Sequence, residues 1–511
     1  MSRTQENKKE KKILNANANV TRRQALSKMG TAAIGAGAVI VVGGVAYYLS
    51  TSQAPPSPPP VTTTTTQAAT SSAATTSAAE FATWGDVYPD QWSTKYAGTT
   101  LTYYAEPDTY GWFGKTMLPQ FTKLTGINVN NISVAWDDQA TKDLTVLQSK
   151  GDVDLFCNGT GGSLDVLIAG GYVEPLDDYL AKTPEWANGI AKSMLADAMD
   201  TKNTHTYVLP QWIWIQVMCK HNGHLAEAGI NSDPETWDDL LKNCLDIKKK
   251  GIVKYPFVTS LGREYYTSVH TQLFVRSFKG PFFNGDGDPV FNTHPNTLGA
   301  LQFLVDCIHK YQIMDPAASG WFEDDSWRNW EEGSGVYAQF TNIMTVVQND
   351  PSVSKMAGQG GAMLVPGANG QRSAANGGTT GCCIAASSKN KDAAWELAKF
   401  RTSRQVTYDY NAVAGEVSAW PEVMTSPAML KANPSLDVIA KQYDYFYSQI
   451  RLPWKSEWDD QFVTEIQNLL QLRKTVKQAM NDLADFYNKK RKEYGVGYIP
   501  SQDELNQFPP T

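Results

Sequence analysis

The sequence predicts an α/β protein in which two lobes follow a long N-terminal segment that does not fold with them. Between Thr99 and Cys157, strand and helix patterns alternate in a β-α-β-α-β order, which is typical of a mostly parallel sheet covered by helices. The roughly 430 residues that follow the N-terminal segment exceed the usual size of a single hydrophobic core. We therefore expect two lobes rather than one.

The first 49 residues have the features of an export or anchoring segment. Residues 1–28 are rich in Lys and Arg, and the stretch from Thr21 to Lys28 resembles a twin-arginine export signal except for Ala25. Residues 29–49 carry no charge, and a span of ~20 such residues is long enough to cross a bilayer as a helix. We expect a retained transmembrane or signal-anchor helix, with the basic region in the cytoplasm. A cleaved signal peptide is the alternative.

Residues 50–95 form the next predicted segment, a stalk. Residues 53–79 are almost entirely Pro, Thr, Ser and Ala, a composition that favours extended chain and cannot bury a core. The order of anchor, stalk and globule predicts a protein at the extracellular face of the cell membrane, held by a single N-terminal anchor.

The globular elements follow from hydrophobic periodicity and from Gly and Pro positions. The first strand alternates in Thr-Leu-Thr-Tyr-Tyr-Ala, the first helix ends at Gly126, and the third strand opens into the Gly-rich stretch after Asn158. In chain order the predicted elements include strand 100–105, helix 115–125, strand 127–134, helix 143–150, strand 153–157, helix 295–311, strand 377–386 and helix 391–400.

Several motifs in this order resemble those of family 1 extracellular solute-binding proteins, the ligand-capturing subunits of ABC importers. The Phe-x-x-x-Thr-Gly-Ile-x-Val segment lies at 121–129, and Gly-x-x-Asp-Leu lies at 151–155. A helix with a Gly cap and a Pro-Leu exit lies at 167–176, and Lys-x-Ala-Ala-Trp-Glu lies at 391–396. The resemblance covers about residues 96–494.

The resemblance implies a hinged, two-lobed fold of the type II periplasmic-binding-protein kind. Residues 96–209 and 387–415 would form lobe 1, and residues 210–386 and 416–505 would form lobe 2. Chain crossings are expected near 209–217, 377–386 and 415–420. The implied function is capture of a small-molecule solute and its delivery to an ABC permease in the membrane, without catalysis and without a cofactor.

Tryptophan gives the main indication of the solute. The chain has 15 Trp, many in predicted loops or at strand ends, and a flat apolar ring suits the C–H face of a sugar while nearby polar groups bind its hydroxyls. We therefore expect a mono- or oligosaccharide. The candidate ligand-binding residues are Glu106, Asn158, Thr160, Trp212, Trp214, Asn342, Trp420, Trp454 and Trp458.

Other functions are weighed against this hypothesis. A surface glycoside hydrolase would need two carboxylates placed across a glycosidic bond, for which Asp324-Asp325 and Asp459-Asp460 are candidates, and a non-sugar solute such as a peptide also stays open. The net charge of −7 argues against a nucleic acid partner.

No metal site is predicted. Residues 284–289 place oxygens as a calcium loop does but lack its Gly and Glu, so we expect a hairpin turn, and His221 and His224 have no further ligand beside them. The six Cys contain no Cys-x-x-Cys pair, so buried thiols or one or two disulfides are expected.

Overall fold

The computed structural model of the chain describes residues 92–105, 113–134, 136–160, 163–414 and 416–510. These residues belong to one compact unit, Ser77–Thr511. The predicted basic region, anchor and almost all of the stalk lie outside the described residues, as does Glu106. Within the described ranges, no helix combines the length and the apolar character that crossing a bilayer would require.

The described residues contain ten strands and twenty α-helices. The strands are β1 (Thr100–Ala105), β2 (Asn128–Ser133), β3 (Leu155–Gly159), β4 (Leu209–His221), β5 (Phe257–Val258), β6 (Tyr337–Thr341), β7 (Gly360–Met363), β8 (Ala375–Ile384), β9 (Val417–Ser418) and β10 (Phe446–Ser448). The helices are α1 (Leu118–Thr125), α2 (Trp136–Gln148), α3 (Leu164–Ala169), α4 (Asp177–Lys182), α5 (Pro184–Gly189), α6 (Lys192–Asp197), α7 (Asn222–Ala228), α8 (Trp237–Lys249), α9 (Tyr265–Ser277), α10 (Pro295–His309), α11 (Glu323–Glu331), α12 (Met344–Val347), α13 (Lys391–Arg401), α14 (Arg404–Ala414), α15 (Pro421–Met424), α16 (Pro427–Ala432), α17 (Leu436–Tyr443), α18 (Lys455–Leu470), α19 (Val476–Tyr494) and α20 (Gln502–Gln507).

The strands follow the order β2-β1-β3-β8-β4-β6-β5, with β10 paired to β8 and with β7 and β9 paired to β4. β1 runs parallel to β2 and β3, as the β-α-β-α-β pattern predicts. β8 is antiparallel to both β3 and β4, and β4 is antiparallel to β6. The predicted α/β class and two-lobed fold are confirmed. The predicted strand at 100–105 and helix at 391–400 agree with β1 and with α13 to within one residue.

Long strand β4 connects the two parts of the sheet. Its first half pairs with β8 and β9, whereas its second half pairs with β6 and β7. Two of the three predicted chain crossings, near 209–217 and 377–386, thus fall on β4 and β8, and the third contains β9. The three segments are therefore held together by backbone hydrogen bonds at one place in the sheet.

Hydrophobic packing divides the globule into two large clusters and a small one. The first large cluster is built around β1, β3, α13 and the segment 417–439, and the second around α8, α9, α10, α18 and α19. Residues 417–439 pack with the first cluster, although the predicted boundaries assign them to lobe 2. The lobe boundaries themselves stay a prediction.

Helix α9 positions part of the candidate site, and it is unusual in being buried on all sides while rich in polar residues. Residues Thr267–Ser277 are all buried, so their polar groups need partners inside the protein. Ser268 donates a hydrogen bond to Asp459 (2.9 Å), and Thr267 donates one to the Gly262 carbonyl (2.6 Å). These bonds fix the N-terminal turn, where Tyr265 and Tyr266 are only partly buried.

All six cysteines are buried free thiols. Burial raises the pKa of each thiol above its ordinary value. Of the two alternatives that the sequence left open, the structure has thiols rather than disulfides. Thiols of this kind are unreactive because the thiolate is disfavoured.

Candidate functional site

The candidate site lies around Trp214 at the strand crossing, which is the place where β4 pairs with β8 and β9. Gly378 on β8 separates the indole of Trp214 from the backbone of Thr160. A Cβ atom at position 378 would lie 2.8 Å from Trp214 Nε1 and 2.3 Å from the Thr160 carbonyl oxygen. Only glycine allows this close approach. The structure therefore brings Trp214 and Thr160, both predicted to bind the ligand, to opposite sides of Gly378, which was not predicted.

Trp214 is the half-buried aromatic residue of this crossing. Its Nε1 forms no hydrogen bond within the described part of the chain. A tryptophan with a partly open face and an unused N–H group has the two features that ligand-stacking aromatics need.

Asn342 lies beside Trp214 and belongs to the same crossing. Its backbone N–H donates to the Ile215 carbonyl (2.9 Å), and its Oδ1 accepts a hydrogen bond from the Ile215 N–H (2.9 Å). The side chain thus extends the pairing of β4 with β6 by one residue. Asn342 is fully buried, and its side chain also bonds Glu416.

Glu416 faces the same region from the segment that leads into β9. The register Trp212↔Ser418 and Ile213↔Val417, continued by one residue, sets Glu416 opposite Trp214. The carboxyl group is buried, and burial raises its pKa to about 8, which the Asn342 hydrogen bond partly offsets. Its Oε2 has no hydrogen-bond partner among the described residues.

A buried polar network continues from β4 to α9 and α11. The Gln216 side-chain amide contacts His270 Nδ1, and His270 Nε2 lies 3.1 Å from Ser260 Oγ and 3.4 Å from Glu323 Oε2. Trp327 Nε1 donates to Glu323 Oε1 at 3.1 Å. The network links residues of four separate segments.

Tyr266 stands at the edge of this network, with its ring 6.0 Å from that of His270. Burial raises the pKa of Tyr266 well above its ordinary value, and the negative charges of Glu323 and Glu416 act in the same direction. Tyr266 therefore lies within electrostatic reach of both carboxyl groups. No hydrogen bond to its hydroxyl is formed within the described ranges.

Thr160 occupies the first-lobe side of the crossing, and its hydroxyl is used within the protein. It donates to the Asp197 carboxylate and accepts a hydrogen bond from the Thr379 N–H (2.8 Å). The same Asp197 carboxylate accepts from Thr379 N–H (3.0 Å) and from the Ser448 hydroxyl. Asp197 therefore ties the loop after β3 to both β8 and β10.

Asn158 lies near the end of β3, just before that loop, and its side chain bonds to Asp143. Its Nδ2 donates to Asp143 Oδ2 (3.0 Å) and to Ser163 Oγ (3.1 Å), and its Oδ1 accepts from the Gly159 N–H (2.8 Å). Burial raises the pKa of Asp143 to about 7, although the Asn158 hydrogen bond acts in the opposite direction.

Replacing Asp143 with asparagine should flatten the pH dependence of stability between about pH 4 and 7. The folded pKa of about 7 exceeds the ordinary 3.8. The stability that this group contributes is therefore fully present below pH 3.8 and is lost as the pH rises through about 7. In the variant, the decrease in the free energy of unfolding between pH 4 and 7 should be smaller by about 4 kcal/mol. Urea denaturation at several pH values measures it, and an unchanged slope would contradict the assignment.

Two of the predicted tryptophans, Trp212 and Trp420, lie in the first large cluster. Trp212 is 2% exposed and packs on Tyr410, with ring centroids 5.6 Å apart. Trp420 is fully buried, donates from Nε1 to the Thr402 carbonyl (2.7 Å), and has the Arg404 guanidinium 3.7 Å from its ring centroid. The faces of both rings are covered by protein atoms.

Trp454 and Trp458 lie in the second large cluster, around α18 and α19. Trp454 donates from Nε1 to the Val496 carbonyl (3.2 Å) and stacks on Tyr494. Trp458 is fully buried and stacks on Phe462, with ring centroids 5.7 Å apart. The structure does not bring these two residues to Trp214.

The carboxylate doublets that suggested a hydrolase are used in local contacts. Asp325 accepts from the Phe322 N–H (3.0 Å) and from Arg328 (2.6 Å) at the start of α11. Asp459 pairs with Lys455 and accepts from Ser268, and Asp460 pairs with Arg263. Each doublet thus has a structural partner.

The loop at 284–289 is a turn between the bridged residues Phe283 and Pro289. The guanidinium of Arg491 donates to the Gly287 and Asp286 carbonyl oxygens (3.1 and 2.8 Å) and to Asp288 Oδ1 (2.7 Å). An arginine thus supplies the cation for this acidic loop. Arg491 also lines a surface cavity of about 520 Å³ at the C-terminal end of α19, far along the chain from the strand crossing.

Sequence reasoning missed Glu416, Tyr266, Glu323 and Asp197. Glu416 could have been found, because it opens the crossing that was predicted near 415–420. The others lie on helices that follow loops, and no local pattern distinguishes them from ordinary surface acids or core aromatics.

Comparison with known proteins supports a specific family. The family described as "Bacterial extracellular solute-binding protein" matches residues 91–408. Maltose-bound MalE3 of T. maritima has a TM-score of 0.69 at 20% identity, covering 78% of this chain and 100% of that chain. An ABC transporter solute-binding protein of Thermotoga lettingae bound with α-D-tagatose gives 0.67 at 23% identity, over 76% and 99% of the two chains. A solute-binding protein of Agrobacterium radiobacter in complex with ribitol gives 0.67 at 20%, over 77% and 99%. These likenesses establish the fold.

Proposed function

Since the chain belongs to the family of bacterial extracellular solute-binding proteins, we propose that it captures a carbohydrate by closing two lobes on it and delivers it to the permease of an ABC transporter. The lobes would follow the boundaries predicted from the sequence, except that residues 417–439 would join lobe 1, with whose cluster they pack. The chain would act by binding alone, because the carboxylate doublets that could suggest hydrolysis are used in structural ion pairs and helix starts.

One observation carries the proposal for a sugar: Trp214 presents a half-buried ring beside buried hydrogen-bond acceptors that lack donors. Glu416 Oε2 and Gln216 Oε1 are two such acceptors among the described residues. Sugars offer an apolar C–H face and several hydroxyl donors, so a stacked pyranose would meet both needs. Two of the similar structures hold maltose and α-D-tagatose, and a third holds ribitol.

The proposed mechanism is hinge closure at the crossing of β4, β8 and β9. A ligand that contacts both lobes stabilises the closed state by its differential affinity for that state, and the permease would recognise it. Asp197 supports the crossing from one side, because it bonds Thr379 on β8 and Ser448 on β10.

Trp214→Ala should weaken sugar binding by about thirtyfold, because truncating a stacked aromatic in a desolvated pocket costs about 2 kcal/mol. The melting temperature without ligand should stay near that of the wild type, since the Trp214 side chain is only partly buried. Mass spectrometry of solute retained by the purified ectodomain would first identify the sugar, and isothermal titration would measure the affinity.

Trp212→Ala is the matched control, two residues away on the same strand. Its ring is covered by Tyr410, so this variant should lose stability while the folded fraction keeps its affinity. Equal affinities of the wild type and Trp214→Ala would contradict the stacking of Trp214 on the sugar, and sustained hydrolysis of a bound sugar would contradict a role in binding alone.

We also propose that residues 29–49 anchor the protein in the cell membrane and that residues 50–95 form a stalk that holds the globule outside. The support is the uncharged span followed by a Pro/Ser/Thr/Ala tract. The native N-terminus, mapped by mass spectrometry, distinguishes a retained anchor from a cleaved signal.

A further inference from the structure

The candidate site contains two buried carboxyl groups, and the residues around them offer a single ionisable base to balance their charge. Glu323 and Glu416 are 6% and 8% exposed, and both lie within electrostatic reach of Tyr266. His270 is the ionisable base in contact with Glu323. One imidazole can compensate at most one of two carboxylates, and Glu416 has only the neutral Asn342 beside it.

The lysine that lies against Tyr265, the chain neighbour of Tyr266, is already paired. Lys455 Nζ lies 5.1 Å from the ring centroid of Tyr265, but it is bonded to Asp459. Among the described residues, neither Glu323 nor Glu416 forms an ion pair with a lysine or an arginine. A buried carboxylate without a cation is costly, and burial accordingly raises the pKa of Glu416 to about 8, so that the carboxyl group stays protonated at neutral pH. A positively charged ligand would stabilise the ionised form, so a cation is the group that would complete the site.

The unpaired acceptors point to the same missing group. Among the described residues, Glu416 Oε2 and Gln216 Oε1 have no hydrogen-bond donor, and Glu323 Oε2 has only the His270 ring nitrogen at 3.4 Å. All three side chains are at least nine-tenths buried. An ammonium group carries three donors and one positive charge. A single amine could therefore satisfy several of these acceptors and compensate Glu416.

We propose that the solute carries a protonated amine, which binds between Glu416 and Glu323 while the rest of the solute packs on Trp214. The inference rests on the proposed function, since it assumes that the solute occupies the crossing around Trp214. Within carbohydrates it specifies an amino sugar or an oligomer that contains one. A neutral sugar could fill the same acceptors with hydroxyls, but it would leave the second carboxyl group without a cation.

The test compares solutes that differ only at one substituent. Isothermal titration would use glucosamine and its β-1,4-linked dimer, the N-acetylated forms of both, and glucose and cellobiose. The amines should bind at least tenfold more tightly than the acetylated and hydroxyl forms, because hydrogen bonds to charged groups are worth about 1.5–3 kcal/mol. Amino sugars that bind no more tightly than their neutral counterparts would overturn the inference, and so would a failure of every amine tested to bind, the non-sugar amines below included.

Glu416→Gln removes the charge and keeps the shape. This variant should lose at least tenfold more affinity for the amines than for the neutral sugars, so that the preference for amines disappears. Glu227→Gln, on the exposed part of α7, is the matched control and should keep the preference. A preference that persists in Glu416→Gln would overturn the assignment of this residue.

Titrations with amines that are not sugars distinguish the proposal of a carbohydrate solute from the proposal of an amine group. Putrescine and a dipeptide carry an ammonium group without a sugar ring. If they bind and no carbohydrate does, the carbohydrate proposal fails while the inference about the amine stands. If neutral sugars bind as well as amino sugars, the carbohydrate proposal stands and the inference about the amine fails.

Discussion

Replacing Glu504 with alanine is expected to lower the free energy of unfolding by about 3–5 kcal/mol, because it leaves the buried guanidinium of Arg276 without a counter-charge. Arg276 is 2% exposed and forms an ion pair with Glu504. Its guanidinium also lies 4.4 Å from the ring centroid of Phe508 and 5.2 Å from that of Tyr447. The aromatic rings exclude water, so solvent cannot replace the lost carboxylate.

Glu504 lies on α20, more than two hundred residues from Arg276 on α9, so this pair fastens the C-terminal segment to the second large cluster. Tyr498 donates a second hydrogen bond to Glu504 and belongs to the same segment. The loss of Glu504 should therefore free the residues after α19 as well as destabilise α9. Limited proteolysis near the C-terminus would detect this release.

Guanidinium denaturation measures the stability change, with two further variants for comparison. Glu504→Gln keeps a hydrogen-bond acceptor and should cost less than alanine. Glu332→Ala removes an exposed partner of Lys355 and should cost at most about 1 kcal/mol, as exposed ion pairs do. If Glu504→Ala cost no more than Glu332→Ala, Arg276 would have to be solvated, contrary to the structure.

The fold was accessible from the sequence because its main signals are local. Alternating Thr, Leu and Tyr residues predicted β1 by their periodicity. The resemblance of the Lys-x-Ala-Ala-Trp-Glu segment to a helix of the family predicted α13, which is buried over Ala393–Arg401. Periodicity of this kind depends on neighbours within about ten residues. The boundaries of α2 were harder: it begins at Trp136, seven residues before the predicted Asp143.

The site was accessible only in part, because it depends on contacts between distant segments. Tryptophan is a useful ligand-binding residue only when one face stays open, and exposure is decided by tertiary packing that composition does not report. Trp214 and Trp212 are two positions apart on one strand, yet only Trp214 keeps an open face. Likewise, Glu416 becomes part of the site only because β9 pairs with β4.

Trp458→Ala is expected to cost about 3–5 kcal/mol of stability, because it removes the largest side chain of a closely packed aromatic group and leaves a cavity. Trp458 is fully buried and contacts Phe462, Phe283 and Tyr487, with ring centroids 5.7 to 5.9 Å away. These partners come from three different segments, so the cavity cannot close by movement of one helix alone. The melting temperature without ligand should fall well below that of Trp214→Ala.

The same variant tests the alternative that Trp458 contacts the solute. If it is a core residue, protein that remains folded at low temperature should bind sugar as tightly as the wild type, because Trp458 lies in the second large cluster, to which Trp214 does not belong. Trp458→Phe, which keeps an aromatic ring, should recover most of the lost stability. If the Trp458→Ala protein keeps its melting temperature and loses affinity instead, the residue must line the ligand site, and the assignment of the second cluster as a closed core would be wrong.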